Sequence, residues 1–156
     1  MRMDKSILSE YADMKEETKD LRRRIAEDQK KIDQLQHTIV SDSVSCGKKG
    51  KKAIRTVKIK GFPQKEINTR IALMKKRQAK LQMLETDLIA KQLQVEEYIQ
   101  TIQKSELRTM FRLYYIDNMT WYQVALRMNQ MFPKRKIKYT DDNCRKRHDR
   151  FLEKVA

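Results

Sequence analysis

Two long series of apolar positions, each alternating spacings of four and three, dominate residues 1–103. The first runs Ile7, Tyr11, Met14, Thr18, Leu21, Ile25, Asp28, Ile32, Leu35 and Ile39. The second runs Ile67, Ile71, Met74, Gln78, Leu81, Glu85, Leu88, Gln92, Val95, Ile99 and Ile102. This is the spacing of a helix that lays one narrow seam against a partner, so each series predicts one long helix. Pro63 suits the first turn of the second. Thr18 and Asp28 interrupt the first seam, where a polar residue either fixes register and partner number or is merely tolerated near solvent. Neither stripe is buried alone, and the connection between them permits an antiparallel hairpin or an intermolecular pair.

That connection, residues 40–61, is rich in Ser, Gly and Lys and reads first as a flexible basic linker. Its alternative is a short strand over Thr56–Lys60 (T-V-K-I-K) opposite Ser41–Ser45, with lysines at the tip of a hairpin. The run G-K-K-G-K-K at Gly47–Lys52 lacks the G-x-x-x-x-G-K-[ST] spacing of a phosphate loop, so no nucleotide site is expected.

After Ile102 the pattern shortens into three helical units. Leu107, Met110, Phe111 and Tyr114 share one face of the first, which Asp117 and Asn118 close. Thr120 with Gln123 forms a capping box for the second, whose inward face is Trp121, Val124, Ala125 and Met128. Thr140 caps the third, with Asp141 and Asp142 favourably placed against the helix dipole. At ~100° per residue, Cys144, His148, Phe151, Leu152 and Val155 lie on one side of it. Asn143, Lys146, Arg147, Arg150 and Lys154 lie on the other. The predicted fold is therefore all-α. It comprises an N-terminal coiled-coil helix (1–39), a basic linker (40–61), a second coiled-coil helix (62–103) and a three-helix, helix-turn-helix module (104–156).

Charge gives this outline a partner. The chain of 156 residues has 36 Lys and Arg against 21 Asp and Glu, a net charge of +15. Residues 1–39 are balanced at 9 against 9, whereas 40–61 carry 7 against 1 and 104–156 carry 13 against 6. Eight of the eleven aromatic residues lie between Phe111 and Phe151, so the best candidate core is also strongly basic. Cations clustered on one module gain affinity for a polyanion by releasing its counterions, which makes double-stranded DNA the leading partner. No apolar run is long enough to span a bilayer and the N-terminus lacks a secretory apolar core, so no membrane role is expected and the cytoplasm is the expected location.

The residues assigned to DNA follow from chemistry. Arg147 and Arg150 present forks that match guanine O6 and N7, and Asn143 matches an adenine edge; phosphate contact is the alternative for each. Arg145, Lys146, Lys154 and Thr140 complete the helix's share. The segment F-P-K-R-K-I-K-Y at Phe132–Tyr139 is longer than a simple helix-turn-helix turn, and its Lys134, Arg135, Lys136 and Lys138 are placed to clamp a phosphate backbone. Tyr139 either packs under the third helix or touches a sugar. A solvated loop and a solvated basic face are the plain alternatives. Cys144 and His148 lie one turn apart, but His37 and Cys46 are remote, so both read as core-facing and no metal or other cofactor is expected. No nucleophile, metal-hydrolase or nucleotide motif is present, and the chain reads as a non-enzyme.

The stretch Y-Y-I-D-N-M-T-W-Y-Q-V-A-L-R-M at Tyr114–Met128 resembles the first half of region four of bacterial sigma factors. With the heptad segments and S-D-S-V at Ser41–Val44, the chain resembles a family of small phage and prophage proteins of Gram-positive bacteria, with a coiled-coil front and a sigma-region-four-like end. The resemblance implies promoter DNA binding in the bacterial host cell, late-gene activation and contact with RNA polymerase. Trp121, Val124 and Ala125 would belong to the bracing helix and Asn143–Arg150 to the reading helix. Homo-oligomerisation through the coiled coil is expected to bring two readers to one site. Two other functions fit the same pattern: a DNA-packaging protein of the small-terminase kind, and a coiled-coil interaction or inhibitor protein that binds no DNA.

Overall fold

The structure, a computed structural model, describes residues 4–38, 40–46, 55–61 and 63–155. Among these the regular structure is helical apart from one two-stranded ribbon. The elements are α1 (Ser6–Gln36), β1 (Val40–Cys46), β2 (Arg55–Gly61), α2 (Gln64–Gln100), α3 (Ser105–Phe111), α4 (Trp121–Met131) and α5 (Asp141–Lys154). α3 runs on into a π-helical turn, Arg112–Ile116. The chain divides into two compact units, Thr18–Met83 and the combination of Met1–Glu17 with Leu84–Ala156.

In the unit Thr18–Met83, α1 and α2 run antiparallel, joined by the ribbon. Within the chain the two seams thus face each other as an antiparallel hairpin. Thr18, Leu21, Ile32 and Ile67 are buried along it. Asp28 is buried as well, with only 3% of its side chain exposed, and both its carboxylate oxygens accept from Nη1 of Arg77, at 2.7 and 2.6 Å. Solvent tolerance thus does not explain Asp28; a paired charge does. Arg77 takes the inward place that heptad spacing gives to Gln78, which is exposed.

The connection corrects the linker reading. β1 and β2 form an antiparallel ladder in the register Val40↔Gly61, Ser41↔Lys60, Val44↔Val57, Ser45↔Thr56 and Cys46↔Arg55. The alternation over Thr56–Lys60 was the signal, since a period of two is a strand's. The Gly47–Lys52 run and Ile39 lie outside the described residues.

In the other unit the first turns of α1 pack against the end of α2 and the helices that follow. Leu8 and Tyr11 share a core with Val95, Tyr98, Ile99, Ile102, Phe111 and Tyr115. Leu8 takes the innermost place, while Ile7 is half-buried. A second core gathers Met110, Leu113, Val124, Ala125, Met128, Tyr139 and Cys144. Met110 and Phe111 are consecutive and fully buried in different cores, so α3 is the wall the two share.

Two lysines of α1 fasten this unit. Helix C-termini leave carbonyls without intrahelical partners and carry partial negative charge, so an ammonium is favoured there. Lys15 Nζ donates to the carbonyls of Tyr115 and Ile116 and, at 2.7 Å, to Oδ1 of Asn118. Lys5 Nζ donates to the Leu152 carbonyl near the end of α5, at 2.9 Å. Asn118 has φ 56°, the left-handed conformation that ends a helix, and Met119 N–H closes back on the Leu113 carbonyl at 3.1 Å. No helix among the described residues is long and apolar enough to cross a membrane.

Candidate nucleic-acid interface

α4 and α5 are each started by a threonine. The Thr120 hydroxyl accepts from Gln123 N–H, and the Gln123 side chain accepts from Thr120 N–H. Thr140 and Asn143 repeat this at α5, at 3.2 and 2.9 Å. The second box consumes a predicted reader: Asn143 Oδ1 is held by Thr140 N–H, while its Nδ2 donates to the Lys138 carbonyl at 3.1 Å. The Asn143 amide is committed to the helix's own N-terminus.

The connection between α4 and α5 is not a loose loop. The Asn129 side chain bridges it by donating to the Tyr139 carbonyl at 3.0 Å and accepting from Tyr139 N–H at 2.8 Å. Tyr139 is 5% exposed and faces Phe132, with ring centroids 6.3 Å apart. Of its two expected roles it takes the packed one, under α5. Burial, with the Glu106 carboxylate nearby, pushes its hydroxyl up to about 12. Asn129 carried no signal in the sequence, because its partner lies ten residues on and belongs to no periodic pattern.

The inward face of α5 follows its predicted stripe. Cys144 and His148 are buried and Phe151 and Leu152 half-buried, whereas Val155 is exposed. Burial raises the Cys144 thiol to about 11, so it stays protonated as a small apolar side chain. No cluster of three metal-ligating side chains occurs among the described residues.

His148 sits in an aromatic cage of Phe111, Tyr114, Tyr115 and Trp121, with centroids 4.9 to 5.6 Å away. Its Nδ1 donates to the Asp149 carboxylate at 2.9 Å, and its Nε2 lies 2.6 Å from the Tyr115 hydroxyl, which donates to it in the neutral ring. Burial lowers its pKa below the ordinary histidine value, against a smaller raising effect of Asp149. The unfolded chain therefore binds the proton more readily than the folded one. Stability from His148 is complete above about pH 6.5 and is lost as pH falls toward the lowered folded value. Chemical denaturation of the wild type between pH 7 and 5.5 is expected to show this decline and His148→Gln to flatten it; an equal slope in both proteins would refute the assignment.

The nine cations of α5 and of the connection before it fall into four groups. Arg145 and Lys146 pair with Asp142, at 3.1 and 2.8 Å, on an open surface where Asp142 is 54% exposed. Arg147 and Arg135 converge on Glu106 of α3, which is only 19% exposed: Arg147 Nη1 meets Oε1, and Arg135 Nη2 lies 3.5 Å from Oε2. The Arg147 guanidinium also lies over the Tyr139 ring, 5.3 Å from its centroid, and Arg135 over Phe132 at 5.7 Å. Lys134, Lys136, Arg150 and Lys154 are exposed and form no ion pair among the described residues. Lys138 donates to the Pro133 carbonyl at 3.3 Å. The loop and α5 thus meet at Glu106, which heptad and stripe periodicity had no means of finding.

Comparison of the chain with protein-family models, curated proteins and solved structures gave no match in any of the three.

Proposed function

We propose that this chain binds double-stranded DNA through a helix-turn-helix formed by α4 and α5, and that it acts in the regulation of transcription. The observation that carries the reading is the two-sidedness of α5. One side is seated on α3 and α4 through Cys144, His148, Phe151 and Leu152, while Lys146, Arg150 and Lys154 stand exposed on the other and Arg145 is exposed at its flank. A helix held in this way can enter a major groove without repacking. The ion pairs of Arg145 and Lys146 with Asp142 are open to water and screened by it, so they exchange readily for base edges or phosphate. Lys134 and Lys136, on a loop pinned through Tyr139, supply backbone contacts beside them.

The assignment to transcription rests on the region-four-like stretch Tyr114–Met128. In the fold Tyr114 stacks on Trp121, centroids 4.0 Å apart and planes 9° from parallel, and Ala125 is the small buried residue of α4. These contacts support a bracing helix under a reader.

The test is a binding titration with a fluorescent mixed-sequence duplex. Arg150→Ala combined with Lys154→Ala is expected to weaken binding roughly 10- to 50-fold at ~0.1 M salt and to flatten the salt slope by about 1.8, the share of two phosphate contacts. Affinity unchanged by the double substitution would overturn the proposed face.

A further inference from the structure

We propose that Glu106 masks part of the DNA-binding face: by holding Arg147 and Arg135 it sets how strongly the module binds DNA of any sequence. The inference rests on the reading of this module as a duplex binder, and concerns two cations that the reading does not use.

Glu106 stands in the first turn of α3, and its two oxygens face one arginine each, from α5 and from the loop. It differs from the module's other pairing acid in shelter. Asp142 is more than half exposed, so water screens its pairs and a phosphate displaces it easily. Glu106 is four-fifths covered, and the arginines it holds are themselves laid on rings: Arg147 over Tyr139, Arg135 over Phe132. Drawing Arg147 to DNA breaks its pair with this covered carboxylate and a cation–π contact together, whereas Arg135, itself 54% exposed, is the more loosely held of the two.

Both arginines nonetheless belong to the surfaces already assigned to DNA. Arg147 is three residues before Arg150 on α5, and Arg135 lies between Lys134 and Lys136. Phosphate matches the planar fork of arginine as well as carboxylate does, so an uncommitted guanidinium at either place would be a strong and sequence-blind DNA ligand. Glu106 occupies the arginines as a phosphate would. A protein that must find one site among many gains from this, because every phosphate contact withheld lowers affinity for all sequences alike.

The experiment compares full-length wild type, Glu106→Gln and Arg147→Ala on a mixed-sequence duplex across a salt series, with thermal melts run in parallel. Glu106→Gln is expected to tighten binding about tenfold near 0.1 M salt and to steepen the slope of log K against log[salt] by 1 to 2, roughly one phosphate per released arginine. Arg147→Ala in the wild-type background is expected to change affinity less than about threefold and to leave the slope in place. If Glu106→Gln melts below the assay temperature, the Arg147→Ala arm decides: a slope flatter by about 1 means that Arg147 already contacts phosphate, and the masking is refuted. A wild type that binds, together with a folded Glu106→Gln of unchanged affinity and slope, refutes the masking alone. Failure of all three proteins to bind duplex at low salt refutes the DNA-binding reading and the masking with it.

Discussion

Phe111→Ala is expected to cost about 3–5 kcal/mol and to abolish the seating of α5. Phe111 is fully buried and touches, through its ring, Tyr115, His148 and Phe151, with the Phe151 contact edge-on at 87° and 5.3 Å between centroids. Truncation removes the transfer free energy of a buried aromatic ring and leaves a cavity between α1, α2, α3 and α5 that rigid helices do not close. A domain's whole stability is about 5–15 kcal/mol, so the loss is a large part of it. The chain has a single tryptophan, Trp121, stacked on Tyr114 in this unit, and its fluorescence reports the unfolding without labels. A denaturation midpoint barely moved, corresponding to less than ~1 kcal/mol, would show that α5 does not depend on this core.

Arg77→Met in the other unit is expected to destabilise it by about 3 kcal/mol, whereas Asp28→Leu is expected to cost less than ~1 kcal/mol or to stabilise. The asymmetry follows from exposure. Removing Arg77 strands a carboxylate that is 3% exposed, while removing Asp28 frees an arginine that is 27% exposed and can carry its charge to water. Leucine also suits both the seam and the helix interior. Hydrogen exchange of amides in residues 18–36 and 64–83 measures the effect on this unit directly. Equal losses from the two substitutions would mean that the pair contributes net stability and is not a tolerated charge.

Periodicity made the framework legible. The heptad series marked α1 and α2, and the threonines at 120 and 140 marked the starts of α4 and α5, because capping is local chemistry written within four residues. Periodicity also has a fixed blindness. It places Asn143 and Arg147 on an outward face, yet Asn143 turns back to cap Thr140 and Arg147 turns to Glu106, a residue 41 positions away. The same holds for Lys15, whose role on the Tyr115 and Ile116 carbonyls depends on a π-helical turn about a hundred positions further on. For residues 40–61 composition and alternation pointed in different directions. The lysines and glycines argued for a linker, while the two-residue period at Thr56–Lys60 argued for the strand that forms.

The salt dependence of duplex binding by the wild-type protein tests the central claim most directly. Lys134, Lys136, Arg150 and Lys154, the cations of the proposed face that are exposed and have neither an ion pair nor a side-chain hydrogen bond among the described residues, predict a slope of log K against log[salt] of about −3.6. Arg145 and Lys146 steepen it wherever they leave Asp142 for phosphate. A slope of that size on duplex DNA is the predicted result; no binding at ~50 mM salt, or binding indifferent to salt, would contradict it.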